Sequence, residues 1–562
     1  MISGIDYWDY KNKINEYCIN EENLQRQLGV EYFLQPKVEE KSFTDYGDGS
    51  HDILGTTFPE IFICKKCNKI AKYKNFKKNN KFICTCGASS ESIIPSRFVV
   101  SCEKGHIDDF PYSWWAHRSN PTIKCEDKHN LVMEIKNESD GLEGIIIKCK
   151  SCGSENSMSG VFGKDSLKGI VCRGNRPWLK DMENKCNQIV KTLQRGATNV
   201  YYGVHESALS IPPWSKRINQ VVSSPENWKF LKEFVDDESM LRCIIEKVKI
   251  QKKCNCSTDD IIKHIRWKIS NEEKMPIITR EEIRQDEYRS LYKGISEEDD
   301  MHFQVEETDI DETLSQYIDK LVLVKRLREV QALTGFYRIS PADEENEKEV
   351  SPIYKEKPEW LPAIELKGEG IFIALNENKV KEWENREDIK SRYNIISKAM
   401  DKSLFKKYNM SPRYILLHTI SHLLMKQLTL DSGYSATSIK ERIYSTYTNN
   451  QIDSPIDMAG ILIYTATPDS EGSLGGVVDS GNKDRFKNSL LKSLEDASWC
   501  SSDPLCIQSK GQGMDSLNLA ACHSCLLLPE TSCELRNCYL DRASVIGTLE
   551  NKEMAFFKDI IV

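Results

Sequence analysis

Four groups of cysteine and histidine carry the clearest chemistry in this chain. Cys64-x-x-Cys67 and Cys84-x-Cys86 are short pairs separated by sixteen residues. Each pair fits a tight turn, and a hairpin between them would aim four thiolates at one tetrahedral ion, the geometry of a zinc ribbon. Eight lysines lie from Lys65 to Lys81. Four thiolates on a dication leave a formal excess of negative charge, which nearby lysines offset. A second group is Cys149-x-x-Cys152 followed by Cys172 and Cys186, one tight pair with two dispersed ligands. A third takes Cys102, His106 and Cys125, with either His117 or His129 as its fourth member. The last is Cys522-x-x-Cys525 with Cys506 and Cys533, where Cys500 and Cys538 compete for places. Together these spacings predict about three to four zinc ions per chain.

Other chemistry is weaker or missing. The lysines Lys72, Lys74, Lys77 and Lys78, interleaved with Tyr73, Phe76 and Phe82, are candidates for contact with nucleic-acid phosphate and bases. His418 and His422 stand four apart, on one face of a helix. Thr419 occupies the position where a zincin needs its general-base glutamate, and leucines and isoleucines surround the pair. Two core histidines are therefore expected; a metal-dependent hydrolase or nuclease using them with Glu441 is the alternative. No G-x-x-x-x-G-K-[ST] occurs, so there is no P-loop for a triphosphate. The Gly-rich segment 471–477 reads as a tight strand-to-helix turn, with an anion-binding turn as the second option. Cys18, Cys243, Cys254 and Cys256 are left over and are expected as buried free thiols.

The elements that must position these residues fit a mixed α/β multidomain chain of 562 residues. Composition suggests five consecutive segments. Residues 1–60 are a polar lead-in, and 61–190 a zinc-ribbon and knuckle region holding ten of the twenty cysteines. Residues 191–350 form a helical middle, 351–497 an α/β region, and 498–562 a C-terminal four-cysteine zinc module. In the α/β region, 364–367 and 370–375 suggest a hairpin. Ser411-Pro412 opens an apolar helix to about Leu430, Ala459–Thr467 is a strand buried on both faces, and Asn482–Ala497 is an amphipathic helix. The stretch Ser296–Glu312, with nine acidic residues, reads as a solvated linker or helix face. The N-terminal residues lack the basic start and apolar stretch of a signal peptide, and no apolar run is long enough to span a bilayer. A cytoplasmic protein with no membrane contact is expected. In a reducing compartment its cysteines serve metal rather than disulfides.

Several motifs in order resemble the DrmB family of the DISARM anti-phage defence system. They include 97–111 (RFVVSCEKGHIDDFP) with Trp114, Trp115 and His117-Arg118, then 172–178 (CRGNRPW), 194–197 and 207–213. They continue with 416–422 (LLHTISH), 433–435, 441–444 and 471–476. The end, from 521–525 (ACHSC) through 530–533 to 540–542, is similar to the zinc-binding C-terminal domain of MrfA-type helicases. The resemblance implies a non-catalytic zinc-binding subunit. Its partner would be a helicase-like ATPase of the DrmA type, and the pair would bind or gate DNA during antiviral defence.

Overall fold

The computed structural model describes residues 1–10, 14–37, 53–78, 81–120, 122–136, 141–183, 186–272, 278–296, 300, 302–340, 350–401, 410–446, 455–465 and 475–560. The chain is mixed α/β and forms two compact units from interleaved segments. One contains 1–12, 36–205 and 333–358; the other contains 13–35, 206–332 and 359–562.

The first unit is built from short antiparallel strands. Strands β1 (Ile61–Cys64), β2 (Lys69–Lys72), β3 (Ile93–Pro95), β4 (Phe98–Ser101), β5 (Ile107–Asp109), β6 (Leu131–Ile135), β7 (Ile145–Cys149), β8 (Glu155–Ser157) and β9 (Lys191–Gln194) make two sheets. The larger runs β8-β7-β6-β2-β1-β3, the smaller β9-β4-β5. Register places Ile70 opposite both Ile63 and Leu131, and Leu131 opposite Cys149, so apolar residues and a thiol share one line across the sheet. Helix α1 (Tyr112–His117) brings Trp115, fully buried, into this core beside Phe98, Phe110 and Ile147. The Trp115 indole N–H donates to the Ser157 carbonyl at 3.1 Å, and the Arg118 guanidinium lies 3.6 Å from its ring centre. Strands this short bury little apolar area each, so the metal-ligand turns between them must contribute to their stability.

In the second unit a run of helices, ending in α2 (Arg280–Lys293), precedes a long strand, β10 (Ile318–Tyr337), which belongs to this unit as far as Ala332. Next come β11 (Trp360–Leu375), α3 (Pro412–Ser432), β12 (Ile439–Ser445), β13 (Ala459–Thr465) and α4 (Lys483–Ala497). The antiparallel order is β10-β11-β13-β12. Residues 32–34 add a parallel strand at the start of β11. Both faces of this sheet are covered. Ile461 and Ile463 of β13 join the core under α3 and α4, while Leu462 and Tyr464 point into the core under α2. All seven residues of β13 are buried, as its continuous apolar character requires. Helix α3 starts where Ser411 accepts a hydrogen bond from the Tyr414 N–H and Pro412 occupies the first turn; Gly433, at φ 73°, ends it.

Three local expectations change. Residues 364–375 are not a hairpin but part of the continuous strand β11. Gly370 marks a close approach, since a Cβ there would lie 2.5 Å from the Ile463 carbonyl oxygen. Part of the acidic stretch is strand rather than linker or helix, while 308–312 are irregular and largely solvent-accessible. Gln304–Glu307 pair with β10, and Glu306 and Glu307 meet Lys325 and Lys320 across the ladder. Asp300 is buried and caps the His302 and Phe303 N–H groups. Residues 297–299 and 301 lie outside the described set. Among the leftover cysteines Cys254 is buried, Cys18 and Cys256 are half-buried, and Cys243 is exposed on its helix. Among the described residues no helix is long and apolar enough to cross a membrane.

Candidate metal centres

Among the described residues, five groups of four ligating side chains converge, with every pair of ligand atoms in a group within 4.8 Å. Four of them contain at least three cysteine or histidine positions predicted from spacing, although the grouping differs from the predicted one.

Cys64, Cys67, Cys84 and Cys86 form the first group, with sulfur separations of 3.7 Å (Cys64 to Cys86) and 3.5 Å (Cys67 to Cys84). Four sulfurs about 2.3 Å from a shared tetrahedral centre stand about 3.8 Å apart, so the set fits zinc. Both pairs sit on knuckles. Asn68 (φ 60°) returns its N–H to the Cys64 carbonyl, and Gly87 (φ 83°) returns its N–H to that of Cys84. Positive φ at those two positions turns each pair of sulfurs inward.

Cys102 and His106 join Cys172 and Cys186, not Cys125. His106 Nδ1 lies 3.4 Å from the Cys102 sulfur, and His106 Nε2 meets the Glu183 carboxylate at 2.6 Å. That outer carboxylate orients the ring, as metal-bound imidazoles require. Cys149 and Cys152 in turn join His117 and Cys125. His117 Nδ1 donates to the Ser113 carbonyl at 2.7 Å, which leaves Nε2 to face Cys152 at 3.3 Å. His129 is exposed and outside the group, so His117 takes the place that the sequence left open. The reason for the exchange is topological. Helix α1 packs directly on strand β7, whereas Cys172 and Cys186 return to the β4–β5 turn. The third group is thus nested, in sequence, between the two halves of the second.

Near the C-terminus the group is Cys500, Cys506, Cys522 and Cys525, with sulfur separations of 3.5–3.8 Å. Cys500 replaces Cys533, which is drawn away to His418, His422 and Glu441. Cys538 is buried in an apolar cluster and belongs to no group.

Hydrogen bonds decide which thiol in each group ionises first. The bond from Cys172 outweighs burial and, with His106, holds Cys102 down to about 4. The Ser154 hydroxyl and N–H hold Cys152 at about 6. Burial pushes Cys84 and Cys522 up, but N–H donors from Cys86 and from Cys525 and Ser524 bring them to about 7 and about 6. Each of these four groups thus offers a thiolate near neutral pH, the form that binds metal.

The lysine run behaves differently from the thiols. Lys72, Lys74 and Lys77 are exposed, and Lys72 pairs with Glu60 at 3.0 Å. The Lys78 side chain is outside the described set. Tyr73 and Phe82 are half-buried and pack on each other and on Phe62, with ring centres 4.9–5.6 Å apart. Of the Gly-rich segment, 471–474 lie outside the described residues. At its end the Gly475 and Val477 N–H groups donate to the two oxygens of Glu369, each at 3.0 Å, so the turn holds an anion supplied by the chain itself.

The comparisons with known proteins agree with this array. Residues 420–526 match the MrfA Zn-binding domain, a span holding all four cysteines of the last group. Residues 1–202 match a domain of unknown function, DUF8724, a span holding the first three. Along its whole length the chain is 31% identical to the DISARM protein DrmB of Bacillus paralicheniformis, covering 100% of this chain and 99% of that protein. The chain belongs to the DrmB family. As a DrmB-family protein of the DISARM defence system it carries a zinc-binding domain, and its Cys/His groups fit zinc. Sequence reasoning found the thiols of this DrmB-family chain because short cysteine pairs are conspicuous. It grouped Cys533 with Cys506, Cys522 and Cys525, whereas the fold lays Cys533 against His418, His422 and Glu441, because spacing alone does not show which dispersed cysteine meets which pair.

Proposed function

We propose that this protein is a non-catalytic zinc-binding subunit that associates with a helicase-like ATPase of the DrmA type and helps bind or gate DNA in anti-phage defence. The observation that carries the reading is closure. Each of the four cysteine-rich groups seen in the fold supplies four protein ligands to one centre. Catalytic zinc keeps a position open for water or substrate, and structural zinc does not. The relative's name places that protein in DISARM, and the absence of a P-loop motif from this sequence supports a division of labour in which a partner supplies ATP hydrolysis. The exposed Lys72, Lys74 and Lys77, with Lys78, are the candidate phosphate contacts. The hydrolase alternative is disfavoured: His418, His422 and Glu441 are fully buried, where no polymeric substrate reaches them.

Co-expression with the helicase-like ATPase of the same system tests the reading. A stable complex is expected to bind DNA with an affinity that falls as salt rises. Reversing the four lysines to glutamate should reduce the slope of log K against log salt, by up to about 0.9 for each phosphate that is no longer neutralised. Failure to co-purify removes the subunit role. An unchanged salt slope removes the lysines from the interface.

A further inference from the structure

Strand β12 exposes Ile439, Glu441 and Ile443 to the core under α3, so a carboxylate sits between two isoleucines on a face that is otherwise apolar. Opposite it, α3 contributes His418 and His422 from within its stripe of leucine and isoleucine. Cys533 enters from the loop that follows the last cysteine group. His418, His422, Glu441 and Cys533 are all buried, the first three completely.

The four side chains converge on a point, not along a chain of hydrogen bonds. His418 Nε2 is 3.0 Å from Glu441 Oε1 and 3.2 Å from the Cys533 sulfur, while His422 Nε2 is 3.4 Å from the same Oε1. The His422 Nδ1–H donates to the Leu526 carbonyl at 3.0 Å. A neutral His422 therefore turns the lone pair of Nε2 towards a carboxylate. A proton on Nε2 would not help, because that atom has no acceptor in hydrogen-bonding geometry. His418 Nδ1 and Glu441 Oε2 also lack partners. Orphaned polar atoms in a buried interior are costly, and a cation at the centre of the four gives His422 Nε2 the partner it lacks. The Leu535 and Asn537 N–H groups donate to the Cys533 sulfur at 3.3 and 3.2 Å; burial and the Glu441 carboxylate outweigh them and push the thiol well up in the absence of a cation.

From these observations we infer that His418, His422, Glu441 and Cys533 bind a fifth zinc ion, in a closed structural site that pins the C-terminal loop to α3 and β12. Ligands about 2.0–2.3 Å from a tetrahedral centre stand about 3.3–3.6 Å apart for nitrogen, oxygen and sulfur mixtures, close to the distances here. Two neutral imidazoles, one carboxylate and one thiolate cancel the charge of a dication. A site with no net charge is the kind that a fully buried position tolerates, whereas the four-thiolate groups, at minus two, keep a sulfur exposed or half-exposed. His418 and Cys533 lie outside the residues matched to the MrfA Zn-binding domain and His422 and Glu441 inside them, and none of the four belongs to the four-cysteine group of that span. The inference does not depend on the DNA or partner reading.

The test is native mass spectrometry of the full chain, prepared with zinc and without chelator. Five zinc ions are expected in the wild type. Cys533→Ser and His422→Gln should each hold four, with circular dichroism reporting whether they remain folded. A wild type that holds four or fewer overturns the inference, as does a folded Cys533→Ser protein that keeps the wild-type number. If neither variant folds, cobalt replaces zinc in the wild type. A fifth cobalt whose binding adds the charge-transfer absorption of a single thiolate supports the site, and saturation at four ions removes it.

Discussion

Glu369→Gln isolates the carboxylate held by the Gly475–Val477 turn. Glu369 is 1% exposed, and its two oxygens receive the N–H groups of Val477 and Gly475 at 3.0 Å each, with the Tyr434 hydroxyl at 3.4 Å. The substitution keeps the shape but removes the charge and converts one oxygen into an N–H₂ group. One backbone N–H then faces a donor. A net hydrogen bond to a charged group is worth about 1.5–3 kcal/mol, and a buried N–H left without a partner costs about 1–3 kcal/mol. The local loss is thus about 3 kcal/mol. At about 1.4 kcal/mol for each factor of ten, opening of the short helix Gly476–Ser480 becomes roughly a hundred-fold more frequent. Hydrogen exchange followed by mass spectrometry reads this directly as faster exchange in peptides covering 475–480. Peptides from β13, in the sheet interior, should keep their wild-type protection. Exchange at 475–480 that stays within about twofold of wild type would refute the reasoning, because the turn would then owe nothing to the carboxylate.

Three further outcomes follow. The Arg413 guanidinium, almost fully buried, meets Glu377 and Glu384 at 2.8 and 2.6 Å; Arg413→Met leaves both carboxylates without it. The cost is about 3 kcal/mol, at the low end for a broken buried pair because the glutamates are partly solvated, and a thermal melt should fall by about 4 °C for a unit of this size. The nested ligand groups predict that Cys149→Ser and Cys172→Ser each lose one zinc and the double variant loses two, counted by elemental mass spectrometry; a double variant that loses one would mean that both cysteines serve the same ion. Burial, with the charges of Lys268 and Lys216, lowers His264 from 6.5 to about 4. As pH falls, the unfolded chain takes up this proton before the folded one does. The contribution is complete above pH 6.5 and is lost towards pH 4, amounting to about 3 kcal/mol. His264→Gln should therefore flatten the decline of stability with acid in that window; an equally steep decline would show that His264 stays solvated.

What could be read in the sequence was what is local. Cys64-x-x-Cys67 with Cys84-x-Cys86 carries its own closure, and Ser411-Pro412 and the run Ala459–Thr465 announce a helix start and a doubly buried strand through composition alone. The nesting of His117, Cys125, Cys149 and Cys152 inside the other group depends on sheet pairing over long separations, about which spacing is silent. The same holds for Cys533. It looks like the next cysteine after Cys525, yet Glu441 and two histidines more than a hundred residues earlier claim it. An apolar helix containing two histidines reads as core from its pattern, and it is core. The carboxylate opposite is visible only once β12 is laid against α3. The long strand β10 was hidden in a region rich in charged helix formers, although its continuous apolar run Leu321 to Val324 is buried on both sides.

The interleaving of the two units sets a timetable for synthesis. The strand at 32–34 pairs with 360–362, and 13–35 can join their unit only after the whole of 36–358 has been made. The three N-terminal ligand groups close within 64–186 and need nothing later in the chain to complete their ligand sets. At about 5–20 residues per second, the roughly 370 residues that follow take about 20–75 s to emerge. During that interval ten thiols are already available on a nascent chain, and metal captured there shields them from oxidation. Zinc supplied during synthesis is therefore expected to raise the yield of native molecules more than zinc added to a finished cell extract.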